Sequence, residues 1–212
     1  MTKAKQIDVL NALSGKWEDG TRPKDLYSQH VQSKPQDYVA AIISGLSCGD
    51  SRVENGCAEL ASLVAEEFPN LVYPYVQLFI GNINAREKVI RWEAVCVLGS
   101  LAAVDANKVI VPFIPRISTH LRDKSIVLAG HALRALSKMA VAYPEKSRDI
   151  FEEFIAVADA FPGNKIGFLI EAMAPLGTLK LFNDDIREFV LPYKNSPLKV
   201  VSRKSVKTLK TL

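Results

Sequence analysis

The sequence predicts an all-α protein organised as a helical solenoid, and two repeating patterns carry this prediction. The first is an apolar stripe at helical spacing, with aliphatic residues four positions before, four after and seven after a small anchor residue. The frame recurs, wholly or in part, around five anchors separated by 38, 38, 40 and 33 residues: Gly56, Ala94, Ala132, Ala172 and Ser205. A period near 40 residues is typical of stacked helix pairs.

The second pattern is a proline that precedes two of the anchors by twenty residues, at Pro74 and Pro112. Residues 71–76 read Leu-Val-Tyr-Pro-Tyr-Val, and residues 90–98 read Ile-Arg-x-x-Ala-x-x-x-Leu. Together these two segments resemble the HEAT repeat, most closely over residues 71–101 and more loosely over residues 36–212. The resemblance implies a right-handed α-α superhelix of about five helix pairs.

The first 34 residues are expected to form an N-terminal helical cap. Residues 2–13 have the apolar spacing of a short amphipathic helix, and Pro23 suits the first turn of a second helix that runs to about residue 32. An atypical segment of this kind covers the apolar end of a solenoid.

Four helix-pair repeats are predicted over residues 35–183. Their helices are expected at residues 35–46 and 51–67, 70–83 and 87–104, 108–121 and 125–142, and 147–160 and 165–178. Pro74 predicts a bend in its helix, and Pro175 predicts a kink or an early end, because proline removes a backbone donor.

The last unit, residues 184–212, is predicted to be shortened and basic, since thirteen residues instead of twenty separate Pro192 from its anchor Ser205. We expect the cap, the repeats and this unit to form a single domain over residues 1–212. Of the net charge of +4, residues 194–212 contribute +6 and contain no acid. The basic character therefore belongs to the last helix.

The composition predicts a cytoplasmic protein without a cofactor. Hydrophobic residues make up 48% and charged residues 24% of the chain, and no apolar run approaches the roughly 20 residues of a membrane span. No apolar block of signal-peptide length follows the N-terminal lysines. The three cysteines form no C-x-x-C pair, so we expect small buried side chains, with neither a disulfide framework nor a metal site.

The resemblance implies that the second helices of the pairs line a concave groove. Side chains one position before, two after and six after each anchor would face this groove. The candidate partner-binding residues are Glu93, His131, Arg134, Lys138, Lys204 and Lys207. An ordinary solvated face is the alternative explanation of these charges.

Three functions are compatible with the sequence. The leading hypothesis is a non-catalytic scaffold or adaptor that holds a protein or peptide, because most HEAT proteins assemble other proteins and no catalytic motif is present. Isolated acids such as Asp105 are expected to be solvated. The alternative is nucleic-acid binding through the basic helices. A DNA glycosylase related in architecture is the third, but Cys96 stands one turn after Trp92, where that family has an aspartate.

Overall fold

The protein is all-α. A computed structural model describes residues 7–17 and 20–212, and all regular secondary structure within these ranges is helical. The chain divides into two compact units, Met1–Ala106 and Asn107–Leu212. Among the described residues, none of the helices has the length and apolar character to span a bilayer.

The first unit is dominated by two long helices, α4 and α7, which pack against each other. Its described α-helices are α1 (Val9–Ser14), α2 (Pro23–Leu26), α3 (Val39–Gly45), α4 (Ser51–Glu67), α5 (Pro69–Val72), α6 (Val76–Gly81) and α7 (Lys88–Leu101). Asp50 caps α4 by accepting hydrogen bonds from the N–H groups of Arg52 and Val53.

The N-terminal helix α1 packs on α3 and α4. Of the predicted helix 2–13, residues 2–6 lie outside the described residues. Leu13 and Trp17 lie against Gly56 of α4, where an added Cβ would stand 2.5 Å from the Leu13 Cδ2 atom. Glycine at this anchor is therefore explained by the close approach of α1. The second predicted segment is α2 followed by a π-helix, Tyr27–Val31.

Pro74 interrupts the predicted helix 70–83, as expected. The chain forms α5, then a 3₁₀-helix at Tyr73–Tyr75, then α6. The Tyr73 hydroxyl donates a 2.6 Å hydrogen bond to the Asp105 carboxylate, which lies beyond the end of α7 and is buried. The expectation that Asp105 is solvated is therefore wrong, because its carboxylate is held by Tyr73 inside the unit.

The second unit contains three helices that lie side by side, because α11 contacts both α9 and α13. Its α-helices are α8 (Ile114–Ser118), α9 (Ile126–Ala142), α10 (Ser147–Ala156), α11 (Ile166–Met173), α12 (Asn183–Val190) and α13 (Lys199–Leu209). Helices α8 to α11 lie within predicted helices, whereas α12 and α13 belong to the last unit, for which no helix bounds are predicted. The first helices are shorter than predicted, since 3₁₀ segments flank them.

Helix α11 ends early, at Met173, as Pro175 predicts. The Ala174 N–H bonds to the Glu171 carbonyl instead of the Ile170 carbonyl, and Pro175 has no N–H to donate. Two buried hydroxyls from neighbouring helices compensate: Ser137 of α9 donates to the Ala172 carbonyl at 2.6 Å, and Thr208 of α13 donates to the Ile170 carbonyl at 3.1 Å. Small polar residues within the apolar faces of α9 and α13 thus donate hydrogen bonds to carbonyls at the end of α11.

All five anchor residues are buried, which agrees with the sequence pattern. Two other sequence expectations are wrong. Phe168 occupies the apolar stripe four positions before Ala172, but 44% of its surface is exposed. Of the three cysteines, only Cys57 is buried, whereas Cys96 is half-buried and Cys48 is exposed.

Candidate functional site

The candidate site is the solvent face of α9, α11 and α13 in the second unit, here called the inner-helix surface. It carries five of the six residues proposed from the sequence. Its members are His131, Arg134, Lys138, Phe168, Glu171, Lys204 and Lys207. The sixth candidate, Glu93, belongs to α7 in the first unit, is half-buried and accepts a 3.1 Å hydrogen bond from the Trp92 indole N–H.

At the middle of the inner-helix surface lies an aromatic ring covered by a cation. The Lys204 ammonium stands 4.7 Å from the centre of the Phe168 ring and 2.7 Å from a Glu171 carboxylate oxygen. The Lys204 stem passes over Gly167, where an added Cβ would lie 3.1 Å from Lys204 Cδ. Lys204 is thus engaged with α11, and its charge is offset by Glu171.

The α9 side of the surface carries two cations, Arg134 and Lys138, and one neutral imidazole. A guanidinium nitrogen of Arg134 lies 3.4 Å from His131 Nδ1. Burial, and then the charge of Arg134, lower the pKa of His131 to about 4. His131 is therefore neutral at physiological pH, and the basic character predicted for this part of α9 comes from Arg134 and Lys138.

Apolar residues accompany Arg134 on the exposed line of α9. Val127 and Val141, seven positions before and after it, expose 46% and 38% of their surfaces. With Phe168 on α11, the surface combines apolar and charged groups, whereas the sequence pattern indicates mainly charges. The missed signal is the seven-residue spacing of Val127, Arg134 and Val141, which places them along one line of a helix.

Helix α11 lies between α9 and α13, and each of these two helices carries an exposed cation. Ser137 meets Ala172 on one side of α11, and Thr208 meets Ile170 on the other. Arg134 precedes Ser137 by three positions and Lys207 precedes Thr208 by one. Both cations are exposed. They belong to the two helices that contact α11, which carries Phe168 and Glu171. Lys138, by contrast, is half-buried.

A concave feature lies between α8 and α10. It is an open groove of about 600 Å³ with an apolar floor that includes Pro112, Pro115 and Ile150 and an acidic margin that includes Asp149 and Glu152. Within residues 7–17 and 20–212, the His, Cys, Asp and Glu side chains form no group of three or more that could hold a metal ion.

The architecture defines an all-α protein. Comparison with solved structures finds engineered proteins of similar fold. One engineered protein is 16% identical with a TM-score of 0.63, and the match covers 96% of this chain and 87% of that chain. A second is 16% identical with a TM-score of 0.60 over 96% and 52% of the two chains. A third is 13% identical with a TM-score of 0.61 over 96% and 88%.

All three of these engineered proteins were Northeast Structural Genomics Consortium targets. At these identities the similarity shows the fold alone. Neither a protein-family model nor a curated protein matches the chain.

Proposed function

We propose that the protein is a HEAT-like α-solenoid, a single-domain right-handed superhelix of about five helix pairs. The buried anchors at intervals near 40 residues support this arrangement, as does the break at Pro74 twenty residues before Ala94. In this proposal the protein acts in the cytoplasm as a non-catalytic scaffold or adaptor, and a protein or peptide occupies the inner-helix surface.

The observation that carries the proposed function is the exposed Phe168 ring among charged side chains. Aromatic residues and arginine are enriched at the centres of protein interfaces. An exposed aromatic ring has hydrophobic surface that a partner would remove from water. Arg134 and Lys207, exposed on the two helices that pack against α11, offer charge-assisted hydrogen bonds. A partner that presents an apolar side chain next to carboxylates has the matching chemistry.

Capture of partners from a lysate of the source cell tests the proposal. The variant Phe168→Ala/Arg134→Glu should lose a protein that the wild type retains after nuclease treatment. The matched control is Leu181→Ala/Lys124→Glu, which alters an exposed apolar residue and an exposed cation on other segments by the same chemistry. Equal capture by the two variants, with unchanged helical content, would contradict the site assignment.

A further inference from the structure

Helix α13 has an exposed face on which most side chains are cationic. Val201, Ser205 and Thr208 are buried and fix the rotation of the helix. Four cations lie on the opposite side at helical spacing and are all exposed, and we call them the α13 cationic stripe: Lys199, Arg203, Lys207 and Lys210. Lys204 is not a member, because it turns toward α11.

The cations of the stripe are not neutralised by neighbouring acids. Residues 189–212 contain no Asp or Glu. Elsewhere in the second unit, Lys108, Arg122, Arg148 and Lys204 pair with Glu145, Glu153, Asp185 and Glu171. None of the four stripe residues forms an ion pair with any residue that the structure describes. Their mutual repulsion favours the binding of anions from outside the chain.

We propose that the α13 cationic stripe binds the phosphate backbone of duplex nucleic acid without reading its sequence. From Lys199 to Lys210 the helix rises by about 16 Å at 1.5 Å per residue. A duplex presents one negative charge per roughly 1.7 Å of its axis, so several phosphates lie within reach of a stripe of this length. The stripe shares Lys207 with the inner-helix surface, but it does not include Phe168 and the proposal does not rest on the adaptor function.

The residue types of the stripe favour duplex nucleic acid over single strands and over a protein partner. Helix α13 contains no aromatic side chain, so it offers no stacking platform for single strands. It has no Asn or Gln to read adenine edges, and its lysines and arginine can all contact phosphates. A protein interface would need an apolar centre, but the apolar side chains on this face are the exposed Val200 and the half-buried Val206. Strongly positive, polar interfaces are typical of nucleic-acid binding.

Fluorescence anisotropy with a labelled 20-base-pair DNA duplex, measured on the full chain over a salt series, tests the proposal. Four phosphate contacts predict a slope of log K against log salt of about −3.6. Affinity should therefore fall roughly a hundredfold between 50 and 200 mM salt. A second duplex of unrelated sequence should bind within about twofold of the first, because phosphates carry no sequence information.

The variant Arg203→Gln/Lys210→Gln locates the surface and leaves the inner-helix surface intact. Losing two contacts should halve the slope to about −1.8 and weaken binding at 50 mM salt at least tenfold. The control Lys124→Gln/Lys165→Gln removes the same charge from exposed positions outside α13 and should retain the wild-type slope.

Three outcomes would overturn the proposal. The first is no binding of duplex at 50 mM salt, and the second is an equal slope for the two double variants. The third is displacement of the duplex by polyglutamate at equal charge concentration, which would assign the stripe to an acidic protein. Circular dichroism of both variants should match the wild type, since all four substituted side chains are exposed.

Discussion

At the scale of single residues, Ser137 and Thr208 show how a proline is tolerated within a packed layer of helices. Pro175 shortens α11 and leaves carbonyls without backbone partners. The two hydroxyls, both buried, donate to two of these carbonyls from opposite sides. Each hydroxyl therefore satisfies an acceptor that would otherwise be buried without a hydrogen bond.

Replacing Ser137 with alanine should lower the free energy of unfolding by about 1 kcal/mol, because one buried acceptor loses its donor. Urea denaturation followed by circular dichroism measures this change. Ser44→Ala is the control, since the exposed Ser44 hydroxyl donates only within its own helix to Ala41. Equal stability of the two variants would show that the Ser137–Ala172 hydrogen bond does not contribute.

His131 should make the protein less stable in acid. Its pKa is about 4 in the folded chain and near the ordinary 6.5 in the unfolded chain. Between these values the unfolded chain binds a proton that the folded chain does not, so the free energy of unfolding falls as the pH drops from about 6.5 to 4. His131→Gln should flatten this decline in urea titrations at pH 7.5, 6, 5 and 4. Parallel pH profiles for wild type and variant would show that the lowered pKa of His131 does not cause the loss of stability.

Sequence patterns predict the positions of most charged candidates but not their surroundings. Arg134 and Lys207 are exposed as expected, whereas Lys204 is engaged by Glu171 and Phe168. Such contacts join residues more than 30 positions apart, and helical periodicity within one segment does not encode them. For the same reason the exposure of Phe168 and the burial of Asp105 could not be read from spacing.

At the scale of elements, the broken helix α5–α6 is tied to the end of α7 by a side-chain hydrogen bond. Tyr73, in the 3₁₀ turn before Pro74, donates to the buried Asp105 carboxylate. This bond, followed by burial, raises the pKa of Tyr73 above its ordinary value. The bend at the proline and the terminus of the second helix are thereby held in one arrangement.

Tyr73→Phe should lower the free energy of unfolding by about 2 kcal/mol, because it removes a hydrogen bond to a charged group. Thermal and urea denaturation measure the change. Tyr75→Phe, two positions away at a similarly half-buried site, should be close to neutral. If both variants behaved alike, the tie between the 3₁₀ turn and the end of α7 would not be a stabilising contact.

The long second helices are the elements that the sequence predicts best. The structure gives α4 the predicted bounds and starts α9 one residue later than predicted, with the same end. Both have capping residues at their starts, Asp50 and Ser125. The first helices are predicted as continuous, but prolines and 3₁₀ turns divide them. Apolar spacing alone does not distinguish α from 3₁₀ geometry over a few residues.

At the scale of the whole molecule, the all-α class is established, and the single solenoid domain remains a prediction. A continuous stack couples each repeat to its neighbours, so its parts should unfold together. The two compact units offer a direct test, because both tryptophans, Trp17 and Trp92, belong to the first unit. Tryptophan emission therefore reports on that unit, whereas circular dichroism reports on both.

We expect urea transitions followed by tryptophan emission and by circular dichroism to coincide, with the same midpoint and slope. Circular dichroism of the native protein should show helix without a sheet signal. Separate midpoints would instead indicate two domains that unfold independently. The experiment needs no variant.

The capping of α11 from both sides also dictates an order of events in refolding. Two carbonyls at its end are satisfied only after α9 and α13 have docked. We therefore expect α11 to complete its last turn after the transition state. Ser137→Ala and Thr208→Val should accelerate unfolding while the refolding rate stays nearly constant. Completion of α11 before Pro175 would then be the last step in assembly of the second unit. The lifetime of the native protein would depend on how strongly the two side-chain hydrogen bonds hold that turn.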